Sequence, residues 1–165
     1  MKKLSKKDLL EKVMLLLSEN IKKAEKSLIE MNSNINDAPG AMQSHSDTSR
    51  FQLTTIVEGM EKAFLEKSKE LEILKQFTQG DISGIEFNDV KIGSLISIKK
   101  HNNLIENYFI IPAGSGIGVV YDDKKIICVT PFSPLGKILL GKKKRESFIY
   151  TIAGRSQNLE ILDIF

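Results

Sequence analysis

Residues 10–31 read LEKVMLLLSENIKKAEKSLIEM, and Leu10, Met14, Leu17, Ile21, Ala24, Leu28 and Met31 recur at alternating intervals of four and three. Such alternation holds one apolar stripe on one face of a helix, the pattern of a coiled-coil seam. Residues 53–74, LTTIVEGMEKAFLEKSKELEIL, repeat it through Leu53, Val57, Met60, Phe64, Lys67, Leu71 and Leu74, with Lys67 as the single polar interruption. The stripes are equal in length, so an antiparallel hairpin sets Met31 against Leu53 and Leu10 against Leu74. Paired in this way they extend about 32 Å at about 1.5 Å per residue. A larger bundle or a parallel dimer could use the same stripes, but the chain must reverse between them, which favours pairing within one chain.

Working outward, Ser5 followed by Asp8 resembles a capping box at the start of the first helix. Asn32, Ser33, Asn34, Asn36, Pro39 and Gly40 disfavour helix continuation. Ser46 or Asp47 can cap the second helix. The intervening tip, near residues 33–48, is long for a helix–helix connection, and long connections are commonly functional. Geometry suggests a stalk with something special at its end.

The texture changes near Gln79. All but two of the 11 glycines, Gly40 and Gly59, lie beyond Phe77, and β-branched residues become frequent. A linker over 79–84 divides the chain into a helical hairpin, residues 1–79, and an α+β module, residues 80–165. Strands are expected at Leu95–Lys100, Glu106–Pro112, Gly118–Tyr121, Lys125–Thr130, Phe148–Ile152 and Leu159–Ile164. Ser133 and Pro134 begin a short helix with an apolar face of Leu135, Ile138 and Leu139, ended by Gly141.

Composition narrows the function classes. A net charge of +3 in 165 residues does not by itself predict nucleic-acid binding. The single cysteine, Cys128, allows no internal disulfide and no thiolate metal site of its own, and its alternation with Ile127 and Val129 suits a small buried hydrophobe. No apolar run approaches the roughly 20 residues of a spanning helix, so no membrane is expected and the cytoplasm is the default location. His45 and His101 fall in different halves, which supports neither a metalloenzyme pair nor a catalytic triad. In Gly114-Ser115-Gly116-Ile117-Gly118 the glycines lead into a strand, so a hairpin or bulge is favoured over a dinucleotide fingerprint.

Two groups retain a chemical reading beside a plainer one. Lys142-Lys143-Lys144-Arg145 is the strongest charge run: a solvated turn, or a contact for a phosphate backbone or acidic protein surface. At the tip, Asp37 and Asp47 could share a Mg²⁺ ion if they approach each other. The plainer assignment makes Asp47 a helix cap and Asp37 a turn former.

Val129-Thr130-Pro131-Phe132-Ser133-Pro134-Leu135-Gly136-Lys137-Ile138-Leu139-Leu140-Gly141-Lys142 is similar to the C-terminal signature of the Gre family of bacterial transcript-cleavage elongation factors, a strand followed by S-P-[LI]-x-x-A-L-[LI]-G-K. Glu160–Ile164 resembles that family's closing strand, and Val90–Ile96 the first strand of its module. A long hairpin followed by an α+β module resembles its architecture. The resemblance implies an FKBP-like C-terminal fold and a monomer with RNA polymerase as partner. It implies docking through Ser133 and Pro134, with the stalk in the polymerase secondary channel near the nascent RNA. Such a protein is no enzyme itself. Tip acids of the family help hold a Mg²⁺ ion shared with the polymerase, which then cleaves its own backtracked RNA.

The tip departs from that pattern. The family's tip runs roughly G-D-L-x-E-N-A-E-Y. With Phe51 as the counterpart of the aromatic, residues 43–51 place Asp47 on the second acid and Ser44 on the first, while Arg50 adds a positive charge. Polymerase binding is therefore better supported than cleavage stimulation. The alternatives are a non-cleaving regulator in the same channel, an FKBP-type peptidyl-prolyl isomerase and a coiled-coil adaptor.

Overall fold

The computed structural model describes residues 5–37, 46–80 and 87–165, with side chains described for 5–33, 51–80 and 87–165. Two helices, α1 (Lys6–Asp37) and α2 (Ser46–Thr78), pack against each other. Every position of the first stripe is buried or half-buried, and so is every apolar position of the second. Leu15, Ile29 and Leu65, which lie off the stripes, are exposed. Leu10 and Leu17 from the start of α1 share a core with Leu74 from the end of α2, as an antiparallel hairpin requires.

The start of α1 is half a capping box. Ser5 Oγ accepts the Asp8 N–H at 3.2 Å, while the Asp8 carboxylate accepts the Tyr121 hydroxyl at 3.2 Å. The helix also outruns its expected end, continuing through Asn32 and Asn36 to Asp37, so Asp37 is not a turn former. Each Ser or Asn costs only a few tenths of a kcal/mol in a helix, less than continued pairing with a neighbour helix can offset.

Beyond the hairpin lie β1 (Leu95–Lys100), β2 (Ile105–Ile110), β3 (Gly118–Tyr121), β4 (Lys124–Val129), α3 (Pro134–Leu139), β5 (Ser147–Ile152) and β6 (Arg155–Ile164). They form one sheet of order β3-β4-β2-β1-β6-β5, in which β2 and β4 run parallel and the other neighbours antiparallel. The chain is thus α+β, a helical hairpin followed by a sheet module. The β3–β4 turn places Asp122 and Asp123 at φ 47° and 57°, the left-handed pair that a two-residue hairpin needs. Residues 90–94, expected to open the first strand, instead turn at Gly93, where φ is 92°, and β1 begins only at Leu95. The last strand starts earlier than expected, at Arg155.

Alternation along the strands gives the sheet two apolar faces. Leu95, Phe109, Val119, Ile126 and Cys128 meet the hairpin's Leu9, Leu10, Val13, Leu17 and Leu74. Ile96, Ile98, Ile110, Val129 and Ile161 form a second core with Val90, Phe148 and Leu139 of α3. Cys128 is the small buried hydrophobe its setting suggested, and burial pushes its thiol up to about 12.

Gly136 is the tightest backbone position in the module: a Cβ there would sit 1.9 Å from the Thr130 carbonyl oxygen. Gly136→Ala is expected to cost about 3 kcal/mol by overpacking. Gly141→Ala, where φ is +77° but the space is open, should cost about 1 kcal/mol from backbone strain alone. Urea denaturation of both variants tests the difference, and equal midpoints would contradict it.

Candidate functional site

Two surfaces stand out, the far end of the hairpin and the corner around α3. The hairpin base is anchored in the sheet core, so its length carries the other end away from it. At about 1.5 Å per residue the 32 residues of α1 extend about 48 Å. Asp37 is the last residue of α1 and Asp47 the second of α2, which places both backbones at that end. Their side chains, together with Ser44 and His45, lie outside the described residues. Phe51 falls in the first two turns of α2 and is 75% exposed. Among the described residues, no cluster of histidine, cysteine or carboxylate side chains could hold a metal ion. The described part of the chain therefore does not fit a Mg²⁺ site of its own.

The α3 corner is tightly built. Ser133 caps the helix: its Oγ accepts the Gly136 N–H at 3.0 Å and donates to the Thr130 carbonyl at 2.8 Å. Pro134 follows as the first helical residue, where a missing N–H costs nothing. The cap consumes the Ser133 hydroxyl and lifts the preceding Phe132 out of the core, leaving it 79% exposed. Phe132 is an exposed aromatic that inspection of the sequence did not single out, because an aromatic beside a strand ordinarily belongs to the core.

The basic run after α3 is less cationic than it looks. Lys142 pairs with Glu146 at 2.5 Å and stands over the Phe148 ring at 5.5 Å. Lys144 pairs with Asp163, and Arg145 lies 3.8 Å from Glu160. Lys143 joins none of the ion pairs among the described residues; its backbone N–H donates to Glu146 at 2.9 Å. Backbone bonds from Val90 to Lys142 and from Gly141 to Val90 fix this turn against the segment before β1. The solvated-turn assignment accounts for most of these residues, and the exposed aromatic becomes the corner's most distinctive feature.

Two aromatics of the α3-face core, Phe148 and Tyr108, are buried rather than lining an open pocket. Phe148 is buried, and the Tyr108 hydroxyl donates to the Glu106 carboxylate. Lys100 binds the other Glu106 oxygen at 2.5 Å. Burial drives the Tyr108 hydroxyl well above its ordinary range, and the Glu106 hydrogen bond adds to the shift. Burial alone would raise Glu106, but the hydrogen bonds from Lys100 and Tyr108 together outweigh it and hold the carboxyl below its usual range.

No protein-family model and no curated protein sequence matches the chain. Among solved structures it is similar to Gfh1 of Thermus aquaticus, at 11% identity and TM-score 0.40 over 90% of each chain. It is also similar to the GreA factor homolog 1 (Gfh1) of Thermus thermophilus, at 15% identity and TM-score 0.37, over 92% of this chain and 94% of that one. A third is the transcription elongation factor GreA/GreB from Nitrosomonas europaea, at 13% identity and TM-score 0.37, over 59% of this chain and 78% of that one. At these values the likeness assigns no residue a role.

The Glu106 shift has a defined sign. A depressed folded pKa contributes stability above the ordinary carboxylate value of about 4.3, and that contribution is lost as pH falls through the folded value. Glu106→Gln should therefore flatten the stability profile between about pH 5 and pH 3. Thermal melts across that window check it, and parallel profiles for the two proteins would remove the argument.

Proposed function

We propose that the protein is a Gre-like factor that binds RNA polymerase and places the end of its hairpin in the polymerase secondary channel. One observation carries the proposal: an apolar seam, interrupted at Lys67, joins two helices of more than 30 residues whose base is built into the core of the sheet. Such a rooted stalk can transmit a docking position at one end to a defined reach at the other. The segment from Val129 to Lys142 supports the polymerase as partner through its likeness to the Gre signature. The capped α3 that it forms presents Phe132, and exposed aromatics are frequent anchors of protein interfaces.

Ser44 favours a second version of the same reading. A hydroxyl where the family carries an acid is a poor ligand for a hard cation. Occupancy of the channel without cleavage is then the expected activity, and no step through a metal ion is needed for it.

Binding to purified core polymerase and cleavage in stalled elongation complexes test both versions. Phe132→Ala should weaken polymerase binding at least tenfold, or about 1.4 kcal/mol, without shifting the melting temperature. Asp47→Ala should leave binding intact. Cleavage by wild type that disappears in Asp47→Ala would establish the cleaving version; binding without cleavage would establish the occupying one. Failure of the wild-type protein to bind polymerase would end the proposal.

A further inference from the structure

The two edges of the sheet are built differently. The β3 edge is four residues long, packs against α1 and holds its Tyr121 hydroxyl on Asp8. The β5 edge, Ser147–Ile152, reads SFIYTI, six residues with no charge and no proline. Natural sheets ordinarily blunt such an edge with a charge, a proline or a covering element. Among the described residues β6 is the only strand beside β5, and Ile149 and Ile152 are 69% and 53% exposed.

Ladder geometry shows which backbone groups of β5 are unused. Ala153 and Gly154, at φ 48° and 75°, make a two-residue turn that closes on Ile152 and Arg155 as a hydrogen-bonded pair. Bonded and non-bonded pairs alternate along an antiparallel ladder, so Tyr150 and Phe148 also bond to β6. The far end has the same phase, since the Ile161 N–H donates to the Glu146 carbonyl at 3.0 Å. Ser147, Ile149 and Thr151 therefore turn their N–H and C=O groups away from the sheet. A row of donors and acceptors at this spacing is a template for another extended strand. The β5–β6 ribbon also runs past β1, which pairs with β6 only from Leu159 onward, and a two-stranded ribbon gains most from a third strand.

The strand that fits best is β5 itself. An antiparallel copy centred on Ile149 sets that side chain against its own counterpart, Ser147 against Thr151, and Phe148 against Tyr150, aromatic beside aromatic. No charge within the strand opposes this pairing. The antiparallel direction also carries the two Lys142–Arg145 runs to opposite ends, whereas a parallel copy would set them side by side. We infer that β5 pairs antiparallel with β5 of a second copy of this chain, joining the two sheets across a two-fold axis. Six residues a side make a small interface, so the association is weak and depends on concentration. No residue of the hairpin seam takes part.

Sedimentation equilibrium of the full chain from about 10 μM to about 1 mM tests this, with amide hydrogen exchange read at both ends of the range. The protein should form a dimer and nothing larger, and the Ile149 and Thr151 N–H groups should gain protection as concentration rises. Ile149→Lys, at an exposed position and so without effect on the melting temperature, should weaken dimerisation about tenfold or more by setting like charges opposite each other. Val120→Lys, similarly exposed on the β3 edge, should dimerise as the wild type does. A monomer throughout the range, a dimer unchanged by Ile149→Lys, or a dimer with no protection in β5 would overturn the inference. So would protection that appears only when RNA polymerase is added, which would give the edge to a strand of that partner.

Discussion

The apolar contact between the hairpin base and one face of the sheet organises this molecule. Leu9, Leu10, Val13 and Leu17 of α1 and Leu74 of α2 close over Phe109, Ile126 and Cys128. A two-helix coiled coil pivoting on a flexible joint would carry no fixed direction. Sharing one core with the sheet removes that freedom, because tilting the hairpin would expose several buried side chains at once. Peripheral bonds sit on the same joint. Asp8 accepts the Tyr121 hydroxyl, and the Lys12 ammonium stands 4.8 Å over the same ring.

The opposite face of the sheet serves a different purpose. Its core is closed by Val90 and α3, and α3 is held by a serine cap and a glycine that no other residue could replace without a clash. Those constraints leave Phe132 in solvent and set the turn at Lys142–Arg145 in a lattice of local ion pairs. The corner therefore presents one exposed aromatic beside exposed basic side chains, several of them ion-paired.

Much of this plan was legible in the linear chain. The alternating four-and-three stripes, with Lys67 as their exception, correspond to the buried seam, and β1, β3 and α3 fall where turn residues and patterning place them. These features are local. Heptad spacing, an N-cap serine, a first-turn proline and left-handed Asp and Gly turns each express their preference within a few residues. The continuation of α1 to Asp37 and the turn in place of a strand at 90–94 mark the limit: weak helix-breaking preferences do not end a helix, and the Val90 backbone pairs with Gly141 and Lys142 rather than in β1.

Tertiary structure alone decided the rest. The parallel pairing of β2 with β4, the burial of the hairpin base against the sheet, the exposure of Phe132, and the pairing of Lys144 with Asp163 and of Arg145 with Glu160 all join residues far apart in the chain or depend on which face is covered. Sequence patterning states which positions prefer to leave water, but not what they will meet when they do. That choice belongs to packing, where long-range contacts are made together or not at all.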